Sequence, residues 1–164
     1  MKKVLVAIAA ISAAMLSSCS MNFPKTRAEF TGHPQIRKQS YTVSRNLNAV
    51  VASLDKQAKH CVNGVSVETR MGGGGLSTSR DVYLMTVAKT SPSRAELTYR
   101  LGSSNMAFQP EGGFFRFAAD LEAQGAKATK VTLYHGPLSD TLINAVTEWS
   151  KGNDNSCHGY GRNP

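Results

Sequence analysis

Apolar residues recur at helical spacing in two separate parts of the chain. The first run ends at Cys61, and the second lies between residues 138 and 151. Because an apolar residue every three or four positions lines one side of a helix, both segments are predicted to be amphipathic helices. Gly152 directly follows the second segment, a position where helices commonly end. The first run comprises Leu47, Val50, Val51, Leu54, Ala58 and Cys61, and the second comprises Leu142, Val146 and Trp149.

The chain between these helices alternates with the period of an extended strand. Within residues 114–122, Phe115 and Phe117 fall on one face, whereas Arg116 and Asp120 fall on the other. Such alternation is typical of a sheet that is buried on one face and solvated on the other. Stretches rich in glycine, serine and proline separate the segments as turns. The predicted strands are residues 64–71, 80–89, 94–101, 114–122 and 127–135, with residues 39–44 as a candidate sixth strand.

Both helices need a partner for their apolar sides, so we expect them to cover the buried face of this sheet. The predicted fold is α+β, a two-layer sandwich of an antiparallel sheet of about five or six strands with two helices on one face. The order of a strand, a helix, several strands and a helix resembles helix-grip domains. These include domains in a lipoprotein subunit of the machinery that assembles outer-membrane β-barrels. The resemblance lies in this order of elements and involves no residue motif.

The amino terminus follows another pattern. Lys2 and Lys3 precede an apolar run from Val4 to Leu16, which is shorter than the roughly 20 apolar residues of a membrane-spanning helix. A basic start, a short apolar core and small residues are typical of a secretory signal peptide. The run ends in Leu16-Ser17-Ser18-Cys19, which resembles the lipobox of bacterial lipoproteins.

The lipobox resemblance implies that residues 1–18 are removed and that Cys19 becomes an acylated first residue. Several acyl chains on one cysteine hold a protein durably on a membrane. In Gram-negative lipoproteins an aspartate after the cysteine tends to retain the protein at the inner membrane, and this chain has Ser20 there. The resemblance therefore implies an outer-membrane protein on the periplasmic face. An ordinary cleaved signal peptide is the alternative.

Charge is concentrated near the expected anchor. The chain carries 19 Lys+Arg and 11 Asp+Glu, and removal of Lys2 and Lys3 lowers its formal charge from +8 to +6. Five bases and one acid place +4 of this charge in residues 20–45, so the rest is nearly neutral and no nucleic-acid partner is expected. We expect residues 19–38 to form a flexible basic tether and residues 39–164 to form a single domain. The tether either contacts anionic lipid or another anionic envelope polymer, or is simply a solvated linker.

Cys61 and Cys157 remain once Cys19 is assigned to lipidation. Two cysteines in an exported chain are predicted to form a disulfide. His60 and His158 lie directly beside them, which makes a Cys2His2 zinc site the alternative. Since the side chains of adjacent residues diverge, we favour the disulfide and expect no metal and no cofactor.

No motif indicates catalysis, so the chain is not expected to be an enzyme. The run from Gly72 to Gly75 lacks the Lys and Ser/Thr of a phosphate-binding loop and is predicted to be a hairpin tip. The expected function is a lipid-anchored, non-catalytic interaction or structural module that contacts an envelope protein or an anionic envelope polymer. The alternative is a carrier or sensor of a small apolar ligand held between the sheet and the C-terminal helix. Candidate contact residues are Gly73, Gly74, Phe108, Arg116 and Asp120.

Overall fold

One six-stranded sheet and three helices make up the described part of the chain. A computed structural model describes residues 24–72, 75–104, 109–137 and 139–160. None of the helices in these residues is both long enough and apolar enough to span a bilayer. In chain order the elements are α1 (Arg27–Gly32), β1 (Arg37–Val43), α2 (Leu47–Gln57), a π-helical turn (Ala58–Val62), β2 (Gly64–Gly72), β3 (Gly75–Ser91), β4 (Arg94–Ser103), β5 (Phe114–Ala123), β6 (Thr129–His135) and α3 (Asp140–Lys151).

The sheet is antiparallel throughout and has the strand order β1-β6-β5-β4-β3-β2. Within the described residues, β1 and β2 are therefore its two edges. The predicted α+β class and the six strands are confirmed. The largest difference is β3, which begins at Gly75 rather than near residue 80 and is 17 residues long.

The core lies between one face of the sheet and the helices α2 and α3. Trp149, Phe117 and Leu54 are among its largest fully buried side chains. They belong to one cluster that draws on α2, α3 and four of the central strands. Burial of an apolar side chain of this size contributes about 1.5–3 kcal/mol, so this layer accounts for most of the apolar stabilisation. We call the opposite side of the sheet the outer face.

A β-bulge in β5 changes which side chains reach that core. Tyr99 pairs with Phe117, but the next residue of β4, Arg100, pairs with Phe115, so Arg116 is an extra residue. An extra residue reverses the alternation on one side of the bulge. The prediction that Phe115 shares the buried face with Phe117 is therefore wrong. Phe115 lies on the outer face, where its ring is 5.6 Å from the guanidinium of Arg100.

Helix α1 packs on the outer face. Its N-cap is Thr26, whose hydroxyl accepts a hydrogen bond from the backbone N–H of Glu29 at 3.1 Å. Phe30 is 3% exposed and stacks on Phe115 with 6.1 Å between the ring centroids. The expectation of a flexible tether is therefore wrong for this helix, and for Arg37 and Lys38, which are already part of β1. The expected signal peptide and Cys19 lie outside the described residues.

Arg45 ties the end of α3 to the chain before α2. Its Nη1 donates to the backbone oxygens of Trp149 and Ser150, at 3.3 and 3.2 Å. The carbonyl of Trp149 also accepts a hydrogen bond from the backbone N–H of Gly152 at 3.0 Å. A cationic donor beside the last carbonyls of a helix stabilises the helix end. Gly152 then stops the helix with φ of 99°, a left-handed conformation that glycine adopts without strain.

Candidate contact surfaces

Two of the five predicted contact residues can be placed. Arg116 is exposed at the bulge of β5, and Asp120 is half-buried on the outer face. Gly73, Gly74 and Phe108 lie outside the described residues. Whether the five residues form one surface stays a prediction.

Asp120 is occupied by contacts within the molecule. Its carboxylate accepts hydrogen bonds from Arg27 at 2.6 Å and from the hydroxyl of Tyr134 at 2.8 Å. Arg27 also forms an ion pair with Glu96 at 3.3 Å. Burial, followed by the hydrogen bond to Asp120, raises the pKa of Tyr134 to about 12. The expectation that Asp120 lies on an open, solvated face is wrong, because this cluster holds α1 against the sheet.

The predicted disulfide is present. Cys61 and Cys157 are joined with their Cα atoms 5.6 Å apart. The side chain of His60 lies beside the two sulfurs, and the three potential ligand atoms are within 4.8 Å of one another. In the joined state neither sulfur is a thiolate, which is the form that binds zinc. The Nε2 of His158 lies instead 2.7 Å from the backbone oxygen of Asn153.

The segment after α3 folds back across the ends of both long helices. The indole N–H of Trp149 donates to the backbone oxygen of Ser156 at 3.0 Å. The hydroxyl of Ser53 in α2 donates to the carboxylate of Asp154 at 2.6 Å. Tyr160 then packs edge-on against Tyr99, with 6.1 Å between the ring centroids. With the disulfide, these contacts fix α2 and α3 side by side on the sheet.

The space between the sheet and α3 is filled with side chains. Phe117, Leu133 and Trp149 all have 0% exposure. An apolar ligand was the alternative expected at this place. These side chains would have to move before a ligand could enter between the two layers.

An open groove lies instead on the outside of α3, where the helix runs beside the edge strand β1. Its volume is about 550 Å³, and most of the residues that line it are polar or charged. Lys151 lies 2.7 Å from the carboxylate of Glu148 and lowers the pKa of that residue, so this pair is neutral overall. The groove is lined by Arg37, Lys38, Gln39, His135, Asp140, Ile143, Asn144, Thr147, Glu148 and Lys151.

At the other edge, β2 and β3 project beyond the sheet as a two-stranded ribbon. β3 pairs with β4 only from Asp81 onward, whereas its first residues pair with β2 alone. We define the β2–β3 ribbon as residues 67–72 with residues 75–80. Two-stranded hairpins are marginally stable by themselves, so a ribbon of this length gains little from its own pairing.

The exposed large apolar side chains in the described residues all lie on one face of this hairpin. Val65 pairs with Val82, and Met71 pairs with Leu76. Met85 of β3 is buried in the core, and both Val82 and Leu76 lie an odd number of positions from it. Since side chains alternate along a strand, these residues point to the outer face. The apolar stripe consists of Val65, Val67, Met71, Leu76 and Val82, which are 40%, 62%, 87%, 73% and 41% exposed.

Neither surface was predicted from the sequence. The groove combines residues about a hundred positions apart, such as Arg37 and Asn144, and their polar character carries no periodic signal. The stripe had a signal, because Val65, Val67 and Met71 alternate along the predicted strand 64–71. Residues 64–71 were predicted to be a strand, but no face was assigned to these three side chains.

No protein-family model matches the sequence, and no curated protein matches it. Among solved structures, a START superfamily protein from Mycobacterium smegmatis is 8% identical with a TM-score of 0.41, covering 72% of this chain and 95% of that chain. An uncharacterized protein from Rhizobium leguminosarum is 13% identical with a TM-score of 0.27, covering 75% and 95%. Both TM-scores are under 0.5, so neither a family nor a ligand is inferred from these likenesses.

Proposed function

We propose that this chain is a lipid-anchored, periplasm-facing protein of the outer membrane that binds an extended segment of another envelope protein and performs no catalysis. The lipobox-like Leu16-Ser17-Ser18-Cys19 supports the anchor at Cys19, and Ser20 supports the outer membrane. One structural observation carries the binding function. The strand β1, which is an unpaired sheet edge among the described strands, and the helix α3 form the two walls of a single open groove.

This arrangement suits addition of a strand to the sheet. An extended peptide beside a free edge gains main-chain hydrogen bonds, and side chains along the groove select its sequence. The ammonium of Lys38 lies on the outer face, 5.5 Å from the ring of Tyr134, and Lys151 neutralises Glu148. The charged groups left along the groove are Arg37 and Asp140, which have opposite signs, so main-chain hydrogen bonds and the shape of the groove select the bound segment.

The ionisable groups with the most perturbed pKa values support a structural role for those groups. Burial raises the pKa of Tyr99 and of Tyr160, which pack against each other. Burial also raises the pKa of Tyr41, whose hydroxyl bonds to Ser150. All three tyrosines therefore remain neutral near pH 7 and act as packing and hydrogen-bonding groups.

Intact mass spectrometry of protein purified from membranes tests the anchor. We expect the mature chain to begin at Cys19 and to carry the added mass of acyl chains. The Cys19→Ala variant, which cannot be lipidated, should lose that mass and leave the membrane fraction. Recovery of an unmodified mature chain from the soluble periplasm would disprove the anchor.

Photo-crosslinking in cells tests the groove. A photoreactive residue at Asn144, which is exposed and lines the groove, should give a crosslink to an envelope protein. The same residue at Thr141, exposed on the same helix but outside the groove, is the matched control. Equal products at the two positions, or none at Asn144, would disprove binding there. A product that carries polysaccharide would replace the protein partner with an anionic polymer.

A further inference from the structure

The apolar stripe belongs to a larger apolar and basic region of the outer face. Beyond Val82, the stripe continues along β3 to Leu84, which pairs with Arg100 of β4. Arg100 in turn lies over the ring of Phe115, which also stacks with Phe30 of α1. The region therefore runs from the end of the ribbon to the helix that follows the expected anchor. An exposed apolar surface of this extent marks a contact site.

The charged residues of this region have one sign. Among the described residues, the charged positions on the outer face of the ribbon and of the adjoining ends of β3 and β4 are Arg80 and Arg100. Glu68 lies on the opposite face of the ribbon, where Arg70 binds it at 2.7 Å. On these strands the apolar side chains are bordered by arginine, and the acid Glu111 is in the loop that approaches Arg100 at Gly112. Apolar side chains bordered by arginine suit the interface of an anionic bilayer.

The acids that β4 and β5 present on the outer face lie elsewhere and are already paired. Glu96 and Asp120 bind Arg27, and Glu122 binds Arg94 at 3.4 Å. They lie toward the part of the sheet that is farthest from the ribbon. Repulsion from anionic headgroups is therefore weakest where the apolar stripe lies.

The expected lipid anchor begins on the same face. Helix α1 is held there by Phe30 against Phe115 and by Arg27 against Asp120. Four residues, and therefore five Cα–Cα steps, separate Cys19 from Pro24, the first residue that the structure describes. A chain segment of that length reaches at most about 18 Å. An acylated Cys19 would therefore hold the outer face, rather than the helical face, close to the bilayer.

We infer that the apolar stripe docks on the surface of an anionic phospholipid bilayer, with Met71 and Leu76 inserted among the lipids and Arg80 at the headgroups. The orientation rests on the proposed acylation of Cys19. The disulfide and the two long helices then face away from the membrane. The β1 groove lies at the side of the domain and stays open to a partner.

Tryptophan quenching by brominated lipids tests this docking directly. The only native tryptophan, Trp149, is fully buried, so a new surface tryptophan reports on its own position. Met71→Trp places the probe in the stripe. Ser77→Trp is the matched control, because Ser77 pairs with Arg70 on the opposite face at nearly the same distance from the turn. Both variants are made in the full-length acylated protein and placed in vesicles of phosphatidylethanolamine and phosphatidylglycerol.

We expect the Met71→Trp emission to shift to shorter wavelength and to lose most of its intensity to brominated acyl chains, while the Ser77→Trp emission changes little. Equal quenching at both positions, or none at residue 71, would overturn the docking. A blue shift of Met71→Trp that depends on protein concentration, without vesicles, would also overturn it and would indicate a second copy on the stripe.

Arginine variants test the charge. In a Cys19→Ser chain added to anionic vesicles, Arg80→Gln should weaken binding by about fivefold, whereas Arg70→Gln on the opposite face should leave it unchanged. The two proposals fail separately in these experiments. Normal acylation without quenching at residue 71 overturns the docking and leaves the anchor. Quenching without acylation overturns the anchor and leaves the docking.

Discussion

The two edges of the sheet are surfaces of different kinds. β1 pairs along all seven of its residues with β6 and has a helix beside it, so its free side faces a polar groove. β2 extends past the rest of the sheet, and its outer face carries exposed valine and methionine. Both edges offer unpaired backbone groups, which in general invite another strand. The difference teaches that the surface beside a sheet edge determines which partner the edge suits. We propose a polypeptide for the groove at β1 and a bilayer for the apolar face at β2.

The largest expected difference between the two regions is in how much a substitution lowers the free energy of unfolding. Trp149→Ala should lower the free energy of unfolding by about 3–5 kcal/mol, because it leaves a cavity in the layer behind the groove. Leu76→Ala, in the ribbon, should change it by less than about 0.5 kcal/mol, because Leu76 is 73% exposed. Urea denaturation followed by circular dichroism measures both. Comparable losses would mean that the ribbon is packed as firmly as the helical layer.

A smaller effect concerns the covalent tie near the start of β2. Replacement of both Cys61 and Cys157 by alanine should reduce the free energy of unfolding by about 2–5 kcal/mol, because the bridge spans a sequence separation of 96. Amide hydrogen exchange should then rise at the start of β2 and near Tyr160, whereas β1 should keep its protection. If amide exchange rose equally at β1, the disulfide would stabilise both edges of the sheet, which would contradict this prediction.

The smallest effect is a pH dependence near β1. Tyr134 ionises at a pKa of about 12 in the folded chain against 10.0 in the unfolded chain, owing to burial and then to Asp120. The neutral form is thus favoured by folding. Its contribution to stability is complete below pH 10.0 and is lost as the pH rises toward about 12. In a pH titration followed by tyrosinate absorbance, the ionisation step near pH 12 should be absent from Tyr134→Phe. In Asp120→Asn the same step should move to lower pH. If Tyr134→Phe instead lost an ionisation step near pH 10, Tyr134 would have an ordinary pKa in the folded chain and the prediction would be wrong.

The elements were predictable because their signals are local. The helical stripe through Leu54 and the alternation around Phe117 each depend on neighbours within one segment, and both segments are present. Their arrangement followed from the need to bury two apolar helix sides on one sheet. The face on which each side chain of β5 lies was not predictable. The extra residue at Arg116 places Phe115 on the opposite face of the sheet from the one that simple alternation predicts.

Helix α1 was missed for a different physical reason. It has six residues and one buried side chain, Phe30, so no apolar period develops. Its capping residue Thr26 followed by Glu29 was a usable signal, since this spacing is typical of a helix start. The groove combines residues about a hundred positions apart, such as Arg37 and Asn144. The stripe depends on how β2 and β3 pair, for example Met71 with Leu76 across the turn, and neither strand alone determines that register.

The position of the disulfide has a consequence for a chain that is cut. Cys61 precedes the turn between β2 and β3, and Cys157 follows it. A protease that cleaves between Gly72 and Gly75 would therefore produce two fragments that remain one covalent molecule. β2 would still be attached at its Gly64 end, two residues after the π-helical turn that contains Cys61. Such a nicked protein would separate into two pieces in a denaturing gel only after reduction, and the proposed acyl anchor at Cys19 would hold both pieces.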